Sequence, residues 1–172
     1  TRRSSDLQSR RKEIFSIPLS LKDIESCFKA AQKLLDIAED QAEKESSERD
    51  AAELKQLQDA YQGTGRGLIS GGAKAIKDLE KEQKSSTTRS IRDNIDGALL
   101  DLSTFYRDVL VLQSNGSEIL NVDLEVELSE YARTTRAKRT IEQIEAILTA
   151  RTNLSRNAAP LATLEALFCA LK

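Results

Sequence analysis

The sequence contains no histidine, no methionine and no tryptophan, and aromatic residues make up only 4% of its 172 residues. Without histidine, the usual activation of a serine or cysteine nucleophile is excluded, and the commonest zinc ligand is missing. Few aromatics, two prolines and a charged fraction of 31% favour helices with wide solvated faces over a β-sheet. We therefore expect an all-α protein that has no catalytic or metal site and no cofactor.

The lack of methionine means that residue 1 is not an initiator, which predicts that the chain is a fragment of a longer protein. No apolar run approaches the ~20 residues that a membrane span needs, and no signal peptide is visible. The sequence therefore predicts a soluble cytoplasmic protein. Cys27 and Cys169 each lie on an apolar helical stripe, so we expect buried free thiols rather than a disulfide.

Apolar residues recur in steps of three and four along two long segments, as they do on one face of an α-helix. Antiparallel folding of the chain pairs the apolar residues in one register, with Ile24 opposite Val109 and Phe28 opposite Phe105. Nearer the glycines, the same register places Leu54 opposite Leu79. The pattern predicts a hairpin of two helices, about 20–61 and 73–113, whose outer part, about 43–90, is a narrow polar arm. The stripes are Leu21, Ile24, Phe28, Ala31, Leu35, Ala38 and Ala42, and then Ile91, Ile95, Ala98, Leu102, Phe105, Val109 and Leu112.

Five of the seven glycines lie in the run GTGRGLISGGAK, at the tip of this hairpin. A phosphate-binding P-loop requires the pattern G-x-x-x-x-G-K-[ST], but Ala73 follows Gly72 where the lysine should stand. The dinucleotide-binding pattern G-x-G-x-x-G also fails, because Leu68 stands in place of the third glycine. We interpret the run as a flexible loop between helices.

Shorter helices are predicted on both sides of the hairpin, which brings the total to about six. A helix over 5–16 ends before Pro18, because the residue before a proline avoids the helical region. Downstream, the turn Ser114-Asn115-Gly116 stops the second long helix. Asp123 then caps a short helix over 123–133.

Two further helices are predicted at the end of the chain. The first spans 136–154 and presents Ala137, Ile141, Ile144 and Leu148 on one face. The second begins at Pro160, since proline is favoured at the first helical position. A terminal helix this apolar docks either on its own domain or on a partner, and the sequence leaves both alternatives open. Its apolar residues are Leu161, Leu164, Leu167, Phe168 and Leu171.

Several segments resemble subunits of the bacterial clamp loader. Residues 157–167, Asn-Ala-Ala-Pro-Leu-Ala-Thr-Leu-Glu-Ala-Leu, are similar to the Asn-x-Asn-Pro-x-Leu-Ala-Leu-Glu motif that closes those proteins. Tyr106-Arg107-Asp108-Val-Leu resembles their aromatic-Arg-Asp-Leu-Leu element. Together with SRRKEIFSIPLSL upstream, the run 78–108 is most similar to the DNA polymerase III delta-prime subunit family. The chain departs from the closing motif at Ala159, Ala162 and Thr163.

The resemblance implies a C-terminal helical collar domain, which holds the subunits of a clamp loader together and follows an ATPase-like module. Residues 1–18 would then be a short helix and linker from that module, and 19–172 the collar. The implied role is non-catalytic assembly within the DNA polymerase III holoenzyme, a nucleotidyltransferase complex of DNA replication. The implied partners are gamma/tau-type and delta-type subunits. The sliding clamp and primed DNA are contacted only through the whole complex, and no membrane is involved.

The resemblance and the apolar last helix together predict where partners bind. Tyr106, Arg107 and Asp108 are the family-like helix end, and no catalytic, cofactor-binding or metal-binding residue is predicted. The alternative function is a helical-hairpin adaptor that binds a protein or nucleic-acid partner through the 43–90 arm. The predicted interface residues are Asn157, Pro160, Leu161, Leu164, Glu165, Leu167, Phe168 and Leu171.

Overall fold

The computed structural model of the chain describes residues 2–61 and 71–172. All regular structure in these two ranges is helical, which confirms the predicted all-α class with a long antiparallel helix pair. Most of the glycine run, predicted to be a loop, lies outside the described residues. The helices are α1 (Arg2–Ser20), α2 (Ile24–Tyr61), α3 (Gly72–Gln113), α4 (Glu125–Thr134), α5 (Ala137–Ser155) and α6 (Pro160–Leu171), with a 3-10 turn at Val122–Leu124.

The chain divides into two compact units. The first unit comprises Thr1–Leu35 and Ile95–Lys172, and the second comprises Asp36–Asn94. The second unit contains the described part of the predicted arm, and α2 and α3 each contribute to both units. All of the predicted site residues belong to the first unit.

Helix α1 continues through Pro18 to Ser20, so the prediction that this helix ends before the proline was wrong. A proline lacks one donor, but here only the last turn follows it, so the loss is confined to a single helical hydrogen bond. Packing offsets this loss, because Ile14, Phe15 and Ile17 are buried in the first unit. These residues of α1 therefore form part of the core of the first unit.

A polar cap marks the start of α2, and a glycine marks the start of α3. At the start of α2, the Asp23 carboxylate accepts a hydrogen bond from the Ser26 N–H at 2.7 Å, and the Ser26 hydroxyl accepts one from the Asp23 N–H at 3.0 Å. This reciprocal pair is a capping box. At the start of α3, Gly71 has a φ of +96°, a conformation that favours glycine, and its carbonyl accepts from the Ala75 N–H at 3.0 Å.

The predicted stripe of α3 forms the core of the first unit, whereas the predicted stripe of α2 is buried only at its three alanines. Ile24 and Phe28 are 59% and 47% exposed, so their predicted pairing with α3 was wrong. The ring of Phe105 packs instead on Phe15 of α1, with the ring centroids 6.1 Å apart. The predicted register considered only α2 and α3, whereas in the structure α1 packs on the side of α3 where Phe28 was expected. On α2 the buried side chains of the first unit are Cys27, Ala30, Ala31 and Leu34.

Small side chains and polar contacts hold the second unit together. The Asn94 amide donates to the Ala38 carbonyl at 3.3 Å, and the Gln83 amide donates to the Asp50 carbonyl at 3.0 Å. These contacts agree with the predicted antiparallel register of the arm. Such short side chains bury little apolar surface, so we expect this unit to be less stable than the first. Among the described residues of the second unit, the buried side chains are Ala38, Ala42 and Ser46.

Helix α3 ends at the predicted Asn115-Gly116 stop. Asn115 has a φ of +59°, and the Gly116 N–H donates to the Val111 carbonyl at 2.9 Å. A Cβ at Gly116 would lie 2.8 Å from Val111 Cγ1, which explains the glycine. The prediction that Asp123 caps the next helix was wrong, since Asp123 lies inside the 3-10 turn and α4 begins without a side-chain cap.

Candidate functional site

Asp108 is a fully buried carboxylate near the end of α3. Its Oδ2 accepts hydrogen bonds from the backbone N–H of Leu120 at 3.0 Å, from the backbone N–H of Asn121 at 2.8 Å and from Asn121 Nδ2 at 2.7 Å. Asp108 therefore fixes the path of the loop that leads from α3 to α4. We refer to Asp108 and Asn121 with their hydrogen-bond partners as the Asp108 clamp.

Two arginines complete the Asp108 clamp. Arg107 donates from Nη1 to Asp108 Oδ1 at 2.7 Å and to the Glu118 carbonyl at 3.0 Å, while Arg11 of α1 donates to Asn121 Oδ1. Burial raises the pKa of Asp108, but hydrogen bonds from Asn121, from the Leu120 N–H and from Arg107 more than offset this effect, so the pKa lies below its ordinary value. The carboxylate is therefore ionised, and both of its oxygens accept hydrogen bonds that stabilise the fold.

Tyr106, the first residue of the family-like helix end, belongs to a buried aromatic cluster. Its ring makes edge contacts with Phe105 and Tyr131, at centroid separations of 5.3 Å and 5.9 Å. Burial raises the pKa of Tyr106 well above its ordinary value, so this residue remains a neutral phenol at physiological pH. The structure thus brings Tyr106, Arg107 and Asp108 into one region, where their contacts stabilise the domain.

Asn157 forms the turn between α5 and α6. It has a φ of +64°, its N–H donates to the Leu154 carbonyl at 3.1 Å, and the Ala158 N–H donates to the Asn153 carbonyl at 3.0 Å. This pair of bonds is a Schellman motif with an asparagine at its left-handed position. The family-like asparagine therefore has a local structural role, and Pro160 starts α6 three residues later, as predicted.

The role of Asn157 can be tested by substitution. Asn157→Val should destabilise the protein by about 1–2 kcal/mol or more, because a β-branched residue does not tolerate a positive φ. Asn157→Gly should be neutral or slightly stabilising, because glycine adopts this conformation without strain. Urea denaturation of both variants checks the prediction, and equal stabilities would contradict it.

Helix α6 packs into the core of its own unit. Leu164, Leu167, Phe168 and Leu171 are each at most 3% exposed. A partner therefore cannot reach these four predicted interface residues in the folded chain, and the structure favours docking of α6 on its own domain. Of the other four predicted residues, Asn157 is exposed, whereas Pro160, Leu161 and Glu165 are half-buried, and their role in an interface stays a prediction.

Side chains from two other helices cap the C-terminal end of α6. The Cys27 thiol of α2 donates to the Phe168 carbonyl at 3.4 Å. From α5, Arg139 donates to the Ala170 carbonyl at 2.6 Å, and the Gln143 amide donates to the Leu171 carbonyl at 2.7 Å. The bonds from Arg139 and Gln143 satisfy carbonyls that a helix end otherwise leaves without partners, whereas the Phe168 carbonyl also accepts from the Lys172 N–H at 3.2 Å. The capping fixes α6 firmly against α2 and α5.

The apolar face that the sequence predicts for α5 is largely exposed in the structure. Ile141 and Leu148 are 45% and 49% exposed, Ile144 is half-buried and Ala137 is exposed. The polar Gln143 occupies the buried face, because its amide bonds to Leu171 and to the Tyr131 hydroxyl at 2.9 Å. We call Ile141, Ile144 and Leu148 the α5 stripe. The buried face of α5 consists of Thr140, Gln143, Ile147, Ala150 and Leu154.

An ion pair holds α5 against α3. Arg151 donates from Nε to Asp96 Oδ1 at 2.7 Å and from Nη2 to Asp96 Oδ2 at 2.9 Å. The hydrogen bond from Arg151 lowers the pKa of Asp96. This two-point contact sets the orientation of α5 and hence the direction in which the α5 stripe faces.

Within residues 2–61 and 71–172, no group of three or more His, Cys, Asp or Glu side chains is placed to hold a metal ion. In the same part of the chain, no helix is long and apolar enough to cross a membrane. The thiol prediction was correct for Cys27, which is free and buried, and wrong for Cys169, which is free but exposed.

Comparison of the chain with protein-family models, with curated proteins and with solved structures finds no match.

Proposed function

We propose that this chain is a non-catalytic assembly domain of the collar type, from the delta-prime subunit of a bacterial DNA polymerase III clamp loader. Two features support the proposal: the family-like segments at 106–108 and 157–167, and an all-α first unit that leaves an apolar helix face uncovered. In this proposal the partners are gamma/tau-type and delta-type subunits. The sliding clamp and primed DNA are contacted only by the whole complex.

The single observation that carries the proposal is the exposure of the α5 stripe. Its three residues stand at i, i+3 and i+7, so they form a continuous apolar row about 10 Å long on one helix. Exposed side chains of both charge signs flank the row, among them Lys138, Glu142 and Glu145. An apolar centre with a polar rim is the usual composition of a protein–protein interface.

The stripe is also held rigidly, which favours binding. The Arg151–Asp96 ion pair fixes one end of α5, and Arg139 and Gln143 bind the C-terminal carbonyls of α6 from the other end. A surface that is ordered before binding loses less conformational entropy on association. In this proposal α6 supports the interface from inside the domain, and α5 makes the contact.

The proposal assigns no catalytic residue to the chain. ATP binding and clamp opening would belong to other modules of the complex, and DNA synthesis to the nucleotidyltransferase core of the holoenzyme. The proposed site of action is the cytoplasm, where bacterial DNA is replicated.

Substitution of the α5 stripe tests this function. The double variant Ile141→Glu/Leu148→Glu, mixed with gamma/tau-type and delta-type subunits, should lose at least about tenfold in affinity, because buried charges without partners strongly disfavour an interface. Native mass spectrometry and sedimentation velocity give the stoichiometry and affinity of the complex. Circular dichroism establishes that the variant remains folded.

Val122→Glu/Val126→Glu is the matched control, since it adds the same two charges at apolar residues that are 65% and 76% exposed. This control should assemble like the wild-type protein. If the wild-type protein forms no complex with those subunits, the collar proposal is wrong. If the wild-type protein and the folded double variant assemble equally well, the α5 stripe is not the interface.

The second unit gives the adaptor alternative its own support, because Asp36–Asn94 is compact by itself. Acidic side chains outnumber basic ones among its described residues, which disfavours contact with nucleic-acid phosphates. An adaptor acting through this unit would therefore bind a protein.

A further inference from the structure

The two cysteines lie where the first turns of α2 meet the last turn of α6. Cys27 is fully buried, and its Sγ is 3.4 Å from the carbonyl oxygen of Phe168. The next residue after Phe168 is Cys169, whose side chain is exposed. Two cysteines that are far apart in sequence are thus brought close together in the first unit, with Cys27 inside and Cys169 at the surface.

The two thiols also affect each other electrostatically. Burial raises the pKa of Cys27, and the charge and hydrogen bonding of the Cys169 thiol raise it further. The hydrogen bond from the Cys27 thiol to the Phe168 carbonyl, at 3.4 Å, places the last turn of α6 directly against the first turn of α2.

We propose that Cys27 and Cys169 form a reversible intramolecular disulfide, and that a small-molecule disulfide such as oxidised glutathione acts as the oxidant. This modification site is independent of the assembly function. The disulfide would link α2 covalently to α6, at a position where the thiol of Cys27 already contacts the α6 backbone.

The exposure of the two residues sets the order of events. The Cys169 thiol loses its proton to solvent, and its thiolate attacks one sulfur of the oxidant, so a mixed disulfide forms and one small thiol leaves. The Cys27 sulfur, after losing its proton, attacks the Cys169 side of the mixed disulfide and releases the second small thiol. In total, the two protein thiols lose two electrons and two protons, and the small disulfide gains them.

The reaction closes a very long loop, which in the chain-entropy description restricts the unfolded chain strongly. We therefore expect the oxidised protein to have a Tm about 5–15 °C above that of the reduced protein. The hydrogen bond from Cys27 to Phe168 is lost on oxidation, which places the expected shift toward the lower end of this range.

The test is incubation of the purified protein with oxidised glutathione, followed by mass spectrometry of the intact chain and of its proteolytic peptides. The wild-type protein should become lighter by two hydrogens, yield a linked Cys27–Cys169 peptide pair and return to the free thiols with dithiothreitol. Cys27→Ala should instead retain one glutathione on Cys169, because the resolving thiol is missing. Cys169→Ser should remain unmodified, because Cys27 is buried.

Two outcomes would overturn the proposal. One is a wild-type protein that retains glutathione on Cys169 while Cys27 stays a free thiol. The other is a disulfide that joins two molecules, which non-reducing electrophoresis detects. Both readouts use the wild-type chain, so they hold whether or not a variant folds.

Discussion

Phe168→Ala is expected to lower the free energy of unfolding by about 3–5 kcal/mol, the usual range for removal of a buried aromatic ring. Phe168 is fully buried in the first unit, and its backbone carbonyl accepts the hydrogen bond from Cys27. Truncation leaves a cavity in the core of the first unit. Urea denaturation followed by circular dichroism measures the loss.

Leu148→Ala is the matched comparison, because it also truncates a large apolar side chain near the C-terminus. Leu148 is 49% exposed, so its truncation should change the free energy of unfolding by about 1 kcal/mol or less. Similar losses in the two variants would contradict the assignment of α6 to the core and of the α5 stripe to the surface.

Asp108→Asn is expected to destabilise the protein by about 2–4 kcal/mol, even though the shape of the side chain is nearly unchanged. The carboxylate accepts hydrogen bonds from two backbone N–H groups, from Asn121 Nδ2 and from Arg107. An asparagine places an NH₂ donor among these donors and leaves the Arg107 charge without its partner. Asp123→Asn, an exposed site in the next turn, is the control and should have little effect.

The same clamp predicts the acid sensitivity of the fold. The pKa of Asp108 is lower in the folded protein than in the unfolded chain. Aspartates in an unfolded chain titrate at about pH 4. The contribution of the clamp is therefore complete above the unfolded pKa and is lost as the pH falls through the folded pKa. Wild-type stability should decrease more steeply below about pH 4 than that of Asp108→Asn. Parallel acid curves for the two proteins would contradict this role of Asp108.

Hydrophobic periodicity was sufficient to predict the long helices. The stripe of α3 has one dominant apolar face, and Ile95, Ala98, Leu102, Phe105 and Val109 are buried as predicted. Two long helices that each have an apolar face and are joined by a polar, glycine-rich segment are also expected to pack as an antiparallel pair. The register of the arm followed from the same spacing.

Periodicity failed where a helix has two possible apolar faces or a neighbour outside the pair. Helix α5 carries Ile141, Ile144 and Leu148 on one face and Ile147, Ala150 and Leu154 on another. The stripe that is easier to recognise is the exposed one, because Gln143 on the buried face finds partners in α4 and α6. Those partners are distant in sequence, and no local signal indicates them.

The predicted site residues show the same limit. The sequence resemblance drew attention to Asp108 and Asn157, but the tertiary contacts of Asp108 and the left-handed turn at Asn157 became visible only in the folded chain. Likewise, the apolarity of α6 was evident from sequence, whereas its docking on its own domain depends on α2 and α5. The apolar residues of the α5 stripe were recognised from the sequence, but they were not assigned to the predicted interface, because nothing local indicates that this face of α5 is the exposed one.

One assembly measurement tests the proposed role of the first unit most directly. It compares three proteins in sedimentation with gamma/tau-type and delta-type subunits: the wild type, Ile141→Glu/Leu148→Glu, and a chain in which a short turn replaces residues 45–88. The deletion joins α2 to α3 in the register that the arm already has. We expect the wild type and the deletion to assemble and the double variant to fail. Assembly by the double variant, together with its loss on deletion of the arm, would contradict the collar proposal and favour the adaptor.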